Sequence, residues 1–351
     1  MKNPLDKKQR LILPDILKGI AVVLMIQVHL MENFASPEVY ASWLGKISLF
    51  LGGPPAAPVF MALMGFFIAF SGKSFRVNIT RGFKLIVLGI VLNIGLNLHL
   101  LILIMNGAVD HNPWHYVFGV DILFVAGLSI ILITLLSKVL KENLAGWAVM
   151  VLLFASLNPW LPVYSGQTEW IKYVQAFFWG NSGWSYFPVF PWFAYPLTGY
   201  IFSLLMKKYE IHKISETNKL YAAAAALLAI VVTFSYGFQT TILLTEYYHH
   251  AFTFFLWTIA FLLCWLIFAD LLFKKAENHF LVKYLVWTGK NVTTFYVIQW
   301  LIIGNVSTYL FQTQRAWQFV MWFLLILLTV SVFVLLFNKL KEKFITKKSN
   351  I

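Results

Sequence analysis

Long apolar runs separated by short polar connections dominate the chain. A helix that crosses a hydrocarbon core of ~30 Å needs about 20 residues, and ten runs approach or reach that length. They lie near 12–33, 55–72, 84–105, 117–137, 144–160, 187–206, 220–237, 251–273, 285–309 and 316–338. The pattern predicts an all-α protein, a polytopic membrane helix bundle of about ten transmembrane helices. No internal repeat, low-complexity tract or hydrophilic stretch large enough for a second domain interrupts it, so residues 1–351 read as one transmembrane domain. The connections fall into two sets. Half are short and basic; the others, near 34–54, 106–116, 160–186 and 238–250, are longer and rich in aromatic, Gly, Pro and His residues. Loops of the second kind on a rigid bundle are where a substrate is handled, although Trp and Tyr there also fit an interfacial belt.

Composition agrees with this pattern. Hydrophobic residues make up 60% of 351 positions, charged residues 12%, and the mean hydropathy is +0.75, far from the balance of soluble domains. The net charge of +13 would point to a polyanionic partner in a soluble protein, but its distribution has another cause. With the N-terminus placed in the cytoplasm, 22 of the 27 Lys and Arg residues fall on the cytoplasmic side, including Lys2, Lys7, Lys8, Arg10, Lys213, Lys274 and Lys275. Three (Lys46, Lys172, Arg315) fall outside, and Lys18 and Lys290 fall within membrane segments. The positive-inside rule then predicts that both termini are cytoplasmic, in a cytoplasmic (plasma) membrane protein. The charge serves topology and contact with anionic membrane lipids, and no nucleic acid partner is expected. The first apolar segment has spanning length and lacks a small-residue cleavage site, so it reads as a retained helix. One cysteine, Cys264 in the eighth segment, leaves no disulfide framework or thiol–metal cluster.

The first helix carries the clearest candidate chemistry. Lys18 and His29 are eleven residues apart, which at ~100° per residue returns to the same face within ~20° and rises ~16 Å. Asp15 and Glu32 extend the stripe at either end. Ionisable groups in a spanning helix face the bundle interior and mark functional sites. Lys18 also fits a snorkelling lysine paired with Asp15, whereas His29 lies deep toward the outer end, where an imidazole can take a proton. Asn93, Asn97 and His99 on the third helix and Asp121 near the start of the fourth lie at a similar depth. Of eight histidines, only His212 and His279 fall on the cytoplasmic side, which argues for a site opening outward. A metal site from Asp110, His111 and His115 is disfavoured because Pro113 breaks their shared face, and no metal is predicted. The ninth segment, GKNVTTFYVIQW, adds Lys290, Asn291 and Gln299, with interhelical polar contacts as the simplest role of its threonines.

DILKGIAVVLMIQVH resembles the first helix of integral-membrane acyltransferases of the acyltransferase-3 superfamily, in which Arg or Lys, ten residues and His recur. PAAPVFMALMGF, FPVFPWFAYPLTGY and GKNVTTFYVIQW resemble, in order, three helices of the branch containing heparan-alpha-glucosaminide N-acetyltransferases. Gln299 stands where many relatives have His, and Lys18 where Arg is commoner. The resemblance implies a membrane acyltransferase that takes acyl-CoA, in the first instance acetyl-CoA, as co-substrate from the cytoplasm. Lys18, Arg76, Arg81, Lys84 and Asn291 are its cofactor-side candidates. The acceptor would be a hydroxyl or amine of an envelope glycan or lipid-linked sugar, met by Asn93, Asn97 and Gln299, with His29, Glu32, His99 and Asp121 as candidate catalytic residues. Asn93, Asn97 and Asn291 are also candidate oxyanion donors. Attack assisted by His29 as general base and transfer through an acyl-histidine both stay open, and a homo-oligomer is compatible with this reading. The rivals are a proton-coupled transporter or exporter, in which Lys, Asp and His are relay residues, and a catalytically silent relative.

Overall fold

The computed structural model describes residues 12–209, 215–273, 276 and 278–349. Lys2, Lys7, Lys8, Arg10, His212, Lys213, Lys274 and Lys275 lie outside the described residues. Among the described residues the fold is entirely helical, with two isolated backbone bridges, Ala35 to Gln314 and Val120 to Ser185. The first half comprises α1 (Ile12–Asn33), α2 (Pro37–Ala41), α3 (Trp43–Gly52), α4 (Ala57–Phe70), α5 (Phe75–Leu96), α6 (Leu98–Met105), α7 (Pro113–Val117), α8 (Ile122–Leu140) and α9 (Leu144–Ser156). Then follow α10 (Glu169–Phe178), α11 (Val189–Trp192), α12 (Ala194–Tyr209), α13 (Glu216–Val232), α14 (Phe234–Ile242), α15 (Leu244–Tyr248), α16 (Phe252–Phe273), α17 (Phe280–Lys290), α18 (Val292–Leu310) and α19 (Ala316–Ser349).

Seven of these helical units are long and apolar enough to cross a membrane, or eight with the bent pair Thr217–Val232 and Phe234–Ile242, which turns by 68°. The protein is therefore an integral membrane helix bundle. The predicted runs coincide with helices, but ten uninterrupted spans do not result, and the reason is local. At three breaks a polar side chain bonds back to the carbonyl four residues earlier: Asn97 to Asn93 at 2.9 Å, Thr233 to Ala229 at 2.5 Å and Asn291 to Trp287 at 2.8 Å. Such bonds compete with the helical ladder and bend it. The run 84–105 is thus split into α5 and α6, and 285–309 into α17 and α18. Lys290, expected within a membrane segment, is exposed in the last turn of α17, where a cation suits the helix dipole. The stretch 34–54, expected as a loop, folds into α2 and α3. Gln27 and Ser48 tie α3 to α1 through paired side-chain and backbone bonds at 2.9 and 2.5 Å.

Two glycine crossings set the interior. A Cβ on Gly65 would sit 1.8 Å from the Pro196 carbonyl oxygen and one on Gly199 1.8 Å from that of Ala62, so α4 and α12 meet backbone to backbone. Gly19 against Leu285 and Gly289 against Asp15 do the same for α1 and α17. Close approach through small residues is how helices associate where lipid offers no hydrophobic drive. These crossings place α1, α4 and α12 inside, with more than half of their span windows buried, whereas α5, α16 and α19 bury under a third of theirs and present Leu, Val and Phe outward.

Candidate active site

The site is built on α1. Lys18 Nζ pairs with the buried Asp15 carboxylate at 2.7 Å and lies 5.2 Å from the centre of the Phe67 ring on α4. This is the end of the bundle where α5 begins, so Arg76, Arg81 and Lys84 belong to it. Arg76 and Lys84 are exposed, and Arg81 donates to Asn78 Oδ1 at 3.3 Å. Partial desolvation and the neighbouring Arg81 guanidinium lower the pKa of Lys73 beside them.

At the opposite end His29 and Glu32 line an interior cavity of about 40 Å³, counted as room for the centre of a water-sized sphere. Leu49 and Gly52 of α3, Ile122 of α8, Phe187, Thr241 of α14, Tyr247 and Tyr248 of α15 and Tyr296 of α18 close it. The His29 ring rests on Trp300, centroids 4.0 Å apart at 32°, and its buried Nδ1 has no hydrogen-bond partner among the described residues. Stacking, rather than a bond from Glu32, orients the imidazole.

Asp121 acts one step back from the wall. Its Oδ1 accepts from Leu123 N at 2.7 Å, capping α8, and its Oδ2 accepts from the Tyr296 hydroxyl at 3.0 Å. The carboxylate thereby fixes a tyrosine that lines the cavity with His29. On the rim, Tyr186 packs edge-on against Tyr248, centroids 5.4 Å apart. Although 45% of Tyr186 is exposed, its hydroxyl sits in desolvated surroundings that raise its pKa, and Glu32 and Tyr116 add to the rise.

The other predicted residues do different things. Asn93 donates to the Val117 and Gly119 carbonyls at 3.1 and 2.7 Å, and Asn97 to those of Asn93 and Tyr116. They hold the approach to α8 and do not line the cavity at His29. His99 is engaged at both nitrogens: Nδ1 with Thr308 Oγ1 at 2.5 Å and Nε2 with the Tyr309 hydroxyl at 2.9 Å. It ties α6 to α18, away from the cavity. Asn291 spends its amide on Trp287 and accepts from Asn338 Nδ2 at 3.0 Å, anchoring α19. Asn93 and Asn97 therefore have both amide protons committed, and Asn291 one of its two. Gln299, fully buried on α18, has neither amide atom bonded. His111 and His115 stack on Tyr116 and Trp184, and no group of three metal-ligating side chains is assembled among the described residues.

Sequence reasoning missed Tyr247, Tyr248 and Thr241, which α14 and α15 bring to the cavity from a stretch known only as aromatic-rich. Tyr296 and Trp300 carried a signal, since both stand in the GKNVTTFYVIQW stretch.

These features define a class: an integral membrane helix bundle with a cavity among its helices lined by His29, Glu32 and tyrosines. Within that class, the chain belongs to the family described as "Heparan-alpha-glucosaminide N-acetyltransferase, catalytic", whose match spans residues 10–235, more than half of the sequence. Membership makes it a membrane transferase of the acetyltransferase kind. The match includes Lys18, His29 and Asp121 and ends within α14. No curated protein and no solved structure matches the chain.

Proposed function

We propose that the protein moves an acetyl group from cytoplasmic acetyl-CoA to a hydroxyl or amine of an envelope glycan or lipid-linked sugar on the outer side of the plasma membrane, as a member of the wider acyltransferase-3 superfamily. The observation that carries this reading is His29, a cavity-lining imidazole with an uncommitted nitrogen, on the same helix as the Lys18–Asp15 pair. In this reading residues 1–351 act as one domain, both termini are cytoplasmic, and the Lys18 end faces the cytoplasm. Lys18, Arg76, Arg81 and Lys84 then meet the phosphates of the donor. His29 takes the proton from the acceptor O–H or N–H as it attacks the thioester carbonyl. The tetrahedral intermediate collapses with cleavage of the carbon–sulfur bond, the CoA thiolate leaves and is protonated, and an acetyl ester or amide remains. Tyr296, held by Asp121, faces the reacting centre, and Glu32 and Tyr186 line the way in for the acceptor.

The test is transfer of labelled acetyl from acetyl-CoA to membrane-glycan extract by purified protein in nanodiscs, comparing wild type with His29→Ala. Acceptor-dependent CoA release by wild type and its loss in the variant support the reading. Wild type that releases no CoA with any glycan fraction overturns it.

A further inference from the structure

Gln299 is the exception among the interior amides. Asn93, Asn291 and Asn305 all donate to carbonyls at 2.7–3.1 Å, whereas Gln299, 0% exposed, leaves both its Nε2 donor and its Oε1 acceptor unbonded among the described residues. A buried carboxamide in that condition pays desolvation at both ends and gains no bond from the fold. Its position is informative. Trp300, the next residue, stacks on His29, and Tyr296, one turn earlier, lines the cavity. Gly19 and Gly289 mark the crossing of α1 and α17. His29 and Gln299 follow these crossings along α1 and α18, and the His29–Trp300 stack sets the two helices level there. The two side chains therefore stand at the same height on neighbouring helices. His29 Nδ1, also buried and unbonded, stands at the same level.

We infer that Gln299 recognises an amide in the arm of the acyl donor, its NH₂ donating to that amide's carbonyl and its own carbonyl accepting the amide N–H. The inference rests on the proposed acyl-CoA reading. An oxyanion would engage only the donor half of the side chain, whereas an amide-bearing chain engages both halves. The pantetheine arm of a CoA thioester carries its nearest amide two methylenes from the sulfur. In this proposal the thioester sits beside His29 and the amide, two methylenes on, reaches the Gln299 side chain.

The test compares short donors with wild type, Gln299→Leu and Gln299→Met in nanodiscs. S-acetyl-N-acetylcysteamine carries the nearest amide and S-ethyl thioacetate lacks it, with acetyl-CoA as the full donor. In wild type the amide-bearing short donor should exceed the amide-free one in kcat/KM by about tenfold to a hundredfold, the range for a buried hydrogen-bonded group. In both variants that ratio should fall toward one. Both should also melt at or above the wild-type temperature without thioester, because an apolar side chain removes two unsatisfied buried atoms, and acetyl-CoA should raise their melting temperature less than it raises that of wild type. If the variants still transfer acetyl and keep the wild-type donor ratio, the inference is overturned while the acyltransferase reading stands. If wild type consumes no thioester, the acyltransferase reading falls and the inference falls with it.

Discussion

His29 and His250 are both interior histidines at the same end of the bundle, and their surroundings differ. His250 is 1% exposed and engaged at both nitrogens, with the Tyr195 hydroxyl 2.9 Å from Nε2 and the Tyr247 carbonyl 2.8 Å from Nδ1. A carbonyl only accepts, so Nδ1 carries the proton, Tyr195 donates to Nε2, and the ring is locked in one tautomer. Trp192 reinforces the same corner by donating to the Tyr248 carbonyl at 2.8 Å. His29 has none of this: its ring is held by an aromatic face, its Nδ1 is unbonded, and a cavity opens beside it. Burial alone therefore does not mark a functional histidine. A satisfied ring is a structural strut that shapes the cavity wall through Tyr247 and Tyr248, and the uncommitted ring at the cavity is the one to which the proposed function assigns chemistry.

The largest expected effect breaks the chemical side of this pair. His29→Ala should lower acetyl transfer by 10²–10⁴-fold, the usual contribution of a general base, with a melting temperature close to wild type. Labelled-acetyl transfer and thermal unfolding on the same sample check both halves. His250→Ala should do the reverse. Loss of ring volume and an orphaned Tyr195 hydroxyl should cost about 2–4 kcal/mol of stability, while transfer per folded molecule stays within severalfold. If instead His250→Ala were stable and inactive, the contrast between the two histidines would be wrong.

A smaller effect tests the scaffold that both residues share. Gly65→Ala drives a methyl toward the Pro196 carbonyl and should destabilise by about 1–3 kcal/mol. Gly183→Ala, where a Cβ would meet nothing within 4 Å, should stay within about 0.5 kcal/mol. Thermal unfolding of the two variants side by side reads the difference. The smallest effect sharpens the cavity wall. Tyr296→Phe removes the bond to Asp121 Oδ2 and should cost about 1 kcal/mol, seen as a severalfold fall in transfer with little change in donor KM.

Much of the fold was legible because its signals are local. Apolar runs of spanning length identify helices wherever they lie, and a spacing of eleven residues puts Lys18 and His29 on one stripe whatever packs against it. The breaks at Asn97, Thr233 and Asn291 were not legible. An asparagine or threonine in an apolar run can face a neighbouring helix or bond back to its own, and the choice depends on what stands opposite. His99 shows the same dependence over a longer range. From the sequence it is one more outer histidine, but Thr308 and Tyr309, some 210 residues away, occupy both its nitrogens. Asn93 and Asn97 likewise bond to carbonyls at 117, 119 and 116, partners that a single segment does not reveal.

The sequence by itself determined the membrane environment, the helical class and the cation-to-histidine stripe of α1, because hydropathy and the 3.6-residue period act within one segment. Only the tertiary structure decided which histidine stays uncommitted, which carboxylate steadies Tyr296 and which buried amide is left without a partner. Hydrogen-bond satisfaction is a property of pairs of groups, and in this bundle the deciding pairs are formed by residues far apart along the chain.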